Sequence, residues 1–231
     1  MELAPGIHVL GGKKGGRVRA FLIENGSELT LVDTLFEEDA RHVLSAIAGL
    51  GRSVTSLKHI VLTHAHRSHL GGLAELKRLS GATVHAHERE ADIVGGERVA
   101  ERVSLVPHRP LRVYFPYQLF AGLGLGAHSP CPVDESLADG GAVGRLTVIH
   151  LPGHTPGHVG FYSEEKGVLI AGDAVSTWPS FAAGWKSFTL NEAQHRMTIR
   201  RLAGFEPKIL GVGHGDPVRK NATDRLASLI W

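Results

Sequence analysis

The sequence predicts a layered α/β fold, with strands inside and helices outside. Three observations carry that expectation. Short apolar runs are followed by helical patterns, twice over along the chain, as in strands packed beneath helices. Glycine is frequent, at 29 of 231 residues, and supplies tight turns between elements. No linker, low-complexity tract or short-period repeat interrupts the pattern, so residues 1–231 read as one domain.

The elements follow in order. Ile7–Leu10, Val18–Ile23 and Leu29–Val32 are short apolar runs broken by Gly. In the second run Val18, Ala20 and Leu22 alternate with Arg17, Arg19 and Phe21, which suits a strand with one better-buried face. Glu37–Leu50 reads as a helix, because Val43, Leu44, Ile47 and Leu50 sit at helical spacing and Gly49 and Gly51 mark its end. His59–Thr63 is a buried strand. Leu73, Leu76 and Leu79 recur every third residue ahead of Gly81, which predicts a second helix. Thr83–His87 is another strand. In the second half Leu146–Leu151, His158–Tyr162 and Val168–Ala171 read as strands. Thr189 and Glu192 have capping-box spacing ahead of a helix to about Leu202. Lys208–Val212 is a strand and Ala222–Ile230 a closing helix.

Residues 99–135 fit this pattern least. Pro107, Pro110, Pro116, Pro130 and Pro132 punctuate them, and Tyr114, Phe115, Tyr117, Leu119 and Phe120 lie close together. The stretch reads as an insertion, a loop or a broken helix. Burying a large apolar side chain is worth roughly 1.5–3 kcal/mol, so the cluster must be covered. Three burials are open: the domain's own core, a partner subunit in a homodimer, or a wall over a functional site. The expectation carried forward is a wall over the mouth of that site that shapes specificity, with a dimer contact as an additional role.

Composition narrows the function. A hydrophobic fraction of 42% and a charged fraction of 21% exclude a disordered chain, a coiled coil and a collagen-like fibre. Lys and Arg total 25 against 23 Asp and Glu, so no basic excess points to nucleic acid. The single cysteine, Cys131, excludes an internal disulfide and a Cys-rich zinc site, and has no partner that would make it a nucleophile. The N-terminus lacks the basic start and apolar core of a signal peptide. No apolar run approaches the roughly 20 residues of a membrane span. A soluble cytoplasmic protein, with no membrane or nucleic-acid partner and a small-molecule substrate, is expected.

Histidine is frequent, at 15 residues, and it clusters. Thr63-His64-Ala65-His66-Arg67-Ser68-His69-Leu70-Gly71-Gly72 lies just past an apolar strand. Residues i and i+2 of an extended chain project to one side, so His64 and His66 can face one cavity. His69 can approach from a second direction at the strand-to-helix turn. Neutral imidazole ligates zinc, iron and similar ions. Three further segments share this placement: Pro152–His158 with His154, Gly172-Asp173, and Gly213-His214-Gly215. Each puts His or Asp beside Gly at the C-terminal end of an apolar strand. Small neighbours let backbone and ligand approach closely.

In this order the residues resemble the metallo-β-lactamase superfamily of metallohydrolases, which includes glyoxalase II, lactonases and related esterases. The resemblance covers residues 6 to about 220. It implies an αββα sandwich, two mixed sheets flanked by helices. In the family motif His-x-His-x-Asp-His, the histidines match His64, His66 and His69. The later ligands match His154, Asp173 and His214. By this resemblance His64, His66 and His154 hold one metal, His69 and His214 serve a second, and Asp173 bridges. Asp33 matches an Asp at a strand end that supports the site. The expected cofactor is zinc, as one or two ions, with iron or manganese as alternatives.

The chain departs from the motif at Ser68, which stands where the family has Asp. The second site thereby loses a hard anionic donor and is expected to be weaker. Serine favours helix N-caps, and Ser68 reads as the cap of a helix over Leu70–Ser80. Asp216 is a weaker candidate for a replacement carboxylate and reads better as a turn cap before Pro217. His158 is either a supporting group or a core histidine. His85, His87 and His150 read as structural, and His8, His42, His59, His108, His128 and His195 give no signal.

A metal in such a site lowers the pKa of bound water from about 15.7 to about 7 and polarises a carbonyl. Hydrolysis of an ester, lactone, thioester or amide then needs no protein nucleophile, so no catalytic side chain is assigned. Two alternatives follow from Ser68. One resembles the persulfide dioxygenases, with a single iron. The other is a weakly active or non-enzymatic metal binder.

Overall fold

Two sheets carry the fold. The computed structural model describes residues 1–100, 111–122 and 128–230. The first sheet has seven strands in sequence order: β1 (Glu2–Ala4), β2 (Ile7–Leu10), β3 (Ala20–Asn25), β4 (Glu28–Val32), β5 (Leu57–Val61), β6 (Thr83–His87) and β7 (Glu135–Leu137). It is antiparallel from β1 to β4 and parallel from β4 to β7. The second sheet comprises β8 (Ala142–Val143), β9 (Leu146–His150), β10 (Val159–Ser163), β11 (Val168–Ile170) and β12 (Ile209–Gly211), in the spatial order β12-β11-β10-β9-β8. Only its β11–β12 pair is parallel.

Helices flank both sheets. They are α1 (Lys14–Arg17), a single turn in which Gly15, Gly16 and Arg17 hold positive φ, α2 (Arg41–Gly49), α3 (Arg67–Leu70), α4 (Leu73–Ser80), α5 (Glu88–Val94), α6 (Leu111–Gly122), α7 (Glu192–Ala203) and α8 (Ala222–Ala227). No helix among the described residues is long and apolar enough to cross a membrane.

The core explains the layering. Phe21, Ile23, Val32 and Val61 of the first sheet meet Val148, Val159, Phe161 and Ile170 of the second. On the far side of the first sheet, Leu22, Leu31 and Ile60 pack against Val43 and Ile47 of α2 and Leu73 and Leu76 of α4. On the far side of the second, Ile149, Leu169 and Leu210 pack against Ile199 and Leu202 of α7 and Leu226 of α8. Two mixed sheets face each other between helical layers, the αββα sandwich expected.

The layering also corrects one expectation. All four residues Ala20–Ile23 are buried, so β3 has two buried faces rather than one. A strand covered on both sides reads as a continuous apolar run. The alternation seen in the sequence comes from Arg17 and Arg19, which precede the strand.

Local chemistry moves several boundaries. The first long helix starts at Arg41 rather than Glu37, because Ala40 adopts a left-handed φ of 50° and ends a turn from Glu37. The helix expected over Leu70–Ser80 is split into α3 and α4 at Gly71-Gly72. A side chain at Gly71 would run into the Phe36 backbone. Ser68 is therefore not a cap: it lies inside α3, whose N-cap position is His66. Helix α7 is capped by Asn191, which accepts the Gln194 N–H at 3.1 Å. Thr189 is not the cap, because its hydroxyl donates to the Trp185 carbonyl.

Within the aromatic stretch, α6 is a helix that contains Pro116. Tyr114 is buried, whereas Phe115 and Leu119 are exposed. Residues 101–110, including Pro107 and Pro110, and the Phe120 side chain lie outside the described residues.

Candidate metal centre

The sandwich brings the strand ends of both sheets to one place. His64, His66 and His69 follow β5, and Asp33 follows β4. From the second sheet, His154 follows β9, Asp173 follows β11 and His214 follows β12. The sheets are tied beside the site by the Val159 N–H, which donates to the Thr63 carbonyl at 2.8 Å. Every one of these histidines is buried, with at most 8% exposure.

Asp173 sits in the middle. Its Oδ2 is 3.2 Å from His214 Nε2, 3.4 Å from His154 Nε2 and 3.8 Å from His64 Nε2. Its Oδ1 is 3.4 Å from His69 Nε2. His66 Nδ1 lies 2.9 Å from His64 Nε2 and 3.1 Å from His154 Nε2. Two groups result, His64 with His66, His154 and Asp173, and His69 with Asp173 and His214. Asp173 belongs to both.

The groups fit a metal on three counts. Nitrogens about 2.0–2.1 Å from one ion lie roughly 3 Å from each other, the spacing seen around His66. His69 Nε2 and Asp173 Oδ1 are buried and face only each other, at 3.4 Å and without a well-formed hydrogen bond. Such orphans are rare unless a ligand satisfies them. Finally, neutral imidazole with carboxylate is the donor set of zinc, iron and manganese.

The electrostatics agree. Burial, reinforced by the neighbouring histidines, pushes His64 well below the usual imidazole range. Burial likewise lowers His154 and takes His66 down to about 4, despite the Asp173 carboxylate. These three rings are neutral at pH 7, as ligands must be. Burial disfavours a charged Asp173 too, but His214 and His69 outweigh it and hold its carboxyl well below the usual range. His69 behaves differently. Burial opposes its charge, yet the Asp173 and Asp33 carboxylates on either side raise it to about 10. A proton on His69 and a cation beside it are alternatives, because both answer the same two carboxylates.

Neighbours hold the rings in place. Asp33 accepts the Thr63 N–H, the Thr63 hydroxyl and His69 Nδ1, each at 2.8 Å. His214 Nδ1 donates to the Gly16 carbonyl at 3.0 Å, and Trp185 stacks on its ring at 4.1 Å. His158 is a supporting group: its Nε2 accepts the Asp173 N–H at 3.0 Å. Gly213 is small by necessity, since a Cβ there would strike the Asp173 carboxylate. Partners of this kind fix ring orientation at metal sites.

The remaining sequence candidates fall elsewhere. Asp216 points outward, is paired with Arg19 at 2.8 Å and lies outside both groups. His85 pairs with His59 at 3.0 Å within the first sheet, and His87 stacks on His150. One residue of the aromatic stretch lies one side chain away from the site. Tyr117 packs edge-on against Phe188, with ring centres 5.0 Å apart, and Phe188 packs edge-on against His66.

Sequence reasoning missed three residues beside the centre. Trp185 and Phe188 bracket a single 3-10 turn, Lys186–Phe188, too short to show a periodic pattern. Glu90, in the first turn of α5, accepts hydrogen bonds from both loops that carry candidate ligands. An acid in a first turn suits any helix dipole, so its sequence carries no distinguishing signal.

A family model described as the metallo-beta-lactamase superfamily matches residues 14–214, a span that holds both groups. The chain belongs to the metallo-beta-lactamase superfamily. It is 31% identical over 223 residues to the uncharacterized protein YobT of Bacillus subtilis (strain 168), covering 92% of this chain and 89% of that one. It is 28% identical over 262 residues to the probable metallo-hydrolase YflN of the same organism, covering 99% of this chain and 91% of that one. Among solved structures, a metallo-beta-lactamase family protein from Thermus thermophilus superposes with a TM-score of 0.72. That likeness covers 99% of this chain and 79% of that one, at 28% identity. Superfamily membership gives the chain a hydrolase-like, metal-dependent character.

Proposed function

We propose that this chain is a metal-dependent hydrolase of small molecules carrying an ester, lactone, thioester or amide bond. The observation that carries the reading is the convergence of three neutral imidazoles and one carboxylate, all within 4.8 Å and all buried. His64, His66, His154 and Asp173 would hold a first ion, and His69, Asp173 and His214 a second. Zinc is the ion of choice, since imidazole-rich sites suit it. When bound, the ion supplies an acidified water and polarises the scissile carbonyl. The chain's own residues orient and exclude. Asp33 and the Gly16 carbonyl aim His69 and His214, Asp173 supplies the shared negative charge, and Trp185 and Phe188 keep bulk water from the histidines.

A second reading rests on Ser68. The second group has one carboxylate where the family motif supplies two. A single-ion centre, including a mononuclear iron oxidoreductase resembling the persulfide dioxygenases, matches that donor set. One experiment separates the two. Elemental analysis of the purified chain, then assay on an ester, lactone, thioester and amide panel with the preferred ion restored, should give zinc or manganese and hydrolysis. Iron with oxygen uptake and no hydrolysis would favour the second reading.

A further inference from the structure

We propose that Glu90 is a positioning residue of the first group: its buried carboxylate fastens the His64–His66 loop to the His154 loop and sets the spacing of the three imidazoles. This rests on the metal reading above. Glu90 is 1% exposed, on the helix that follows β6. Its Oε2 accepts the N–H of Ala65 at 2.9 Å. Ala65 stands between His64 and His66. Its Oε1 accepts the Thr155 hydroxyl at 2.7 Å and the Gly157 N–H at 2.9 Å. Thr155 adjoins His154. One carboxylate thus joins a loop of the first sheet to a loop of the second, at the residues next to the candidate ligands.

The chemistry asks for a carboxylate here. Burying a charged group is expensive unless donors meet it, and three neutral donors do. An amide of the same shape still accepts from Thr155 and Gly157 through its oxygen. Its NH2 group then faces the Ala65 N–H, donor against donor, and the His64–His66 loop must shift. The fit is tight, because a Cβ on Gly157 would come within 2.7 Å of Glu90 Cγ. His66 Nδ1 sits 2.9 Å from His64 and 3.1 Å from His154, and the second of these distances spans the two loops.

The test titrates zinc into the chelator-stripped full chain against a competing chromophoric chelator. In Glu90→Gln the tighter ion should weaken about 10–100-fold, the usual cost of losing a group that supports ligands. The weaker ion should change less than about threefold, and the far-UV circular dichroism should match wild type. Thr155→Val, which removes one donor and keeps the shape, should weaken the tighter ion about fivefold, as for one hydrogen bond. If Glu90→Gln does not fold, Thr155→Val decides alone. Equal weakening of both ions, or wild-type affinity for the tighter ion, overturns the assignment while leaving the metal reading intact. A wild-type chain that binds no ion overturns both.

Discussion

Asp33 Oδ2 lies 2.8 Å from His69 Nδ1, which leaves the opposite ring nitrogen facing Asp173. Asp33 itself holds a left-handed φ of 59°, an unfavourable backbone for a side-chain-bearing residue. Its other oxygen fixes the Thr63 N–H, so one carboxylate aims His69 and anchors the strand end before His64. Asp33→Asn keeps the size and removes the charge. It should weaken the second ion about 10–100-fold and the first ion much less. Zinc titration reads both; equal losses would mean that Asp33 only stabilises the fold.

The second group has only His69, Asp173 and His214 to offer among the described residues. Titration of the stripped chain should therefore show one tight and one weaker event. Ser68→Asp restores the carboxylate of the family motif and should tighten the weaker event by about tenfold or more, within the range by which a supporting or ligating group changes metal affinity. Two equally tight sites, unchanged in the variant, would show that Ser68 is no deficit.

The layers and the residues that cluster at the strand ends were legible because strands, glycines and histidines repeat a pattern. His154 and Asp173 stood out by their placement after apolar runs. Ser68 misled because helix capping depends on a backbone break at Gly71-Gly72 that the leucine periodicity hides. Thr189 misled because Asn191, two residues on, competes for the same helix end and wins. Glu90 was invisible, since its partners are main-chain groups 25 and 67 positions away and one threonine. Sequence periodicity reports burial, whereas such long-range hydrogen bonds depend on the assembled fold.

Tyr117, rather than the exposed Phe115, carries the aromatic stretch to the site, through Phe188 to His66. Tyr117→Ala should lower kcat/KM for apolar substrates about 5–30-fold, in line with roughly 1–2 kcal/mol of lost apolar contact. Metal content should not change. Unaltered kinetics with a lower melting temperature would make Tyr117 ordinary packing.

Asp139 bonds Arg201 of α7 at 2.8 Å and accepts the His150 N–H at 2.8 Å, just ahead of the His154 loop. Burial raises its pKa, but Arg201 and the His150 N–H outweigh that and leave it lowered. A lowered carboxyl stabilises the fold above its unfolded value, near 3.9, and that stability is lost as pH falls through the folded value. The pair is half-exposed, so the effect is small. Asp139→Asn should lower Tm by about 1–3 °C at pH 7, and the gap should narrow as pH falls below the unfolded value. A gap that stays the same as the pH falls would assign the loss to packing.

The most direct test is metal content per chain in the His64→Ala, His66→Ala double variant, measured by elemental analysis beside wild type. Both rings belong to the four-residue group around Asp173 and neither reaches the second. Wild type should carry metal, and the double variant should lose the tightly held ion while keeping its fold. Unchanged stoichiometry in a folded double variant would contradict a metal centre built on these histidines.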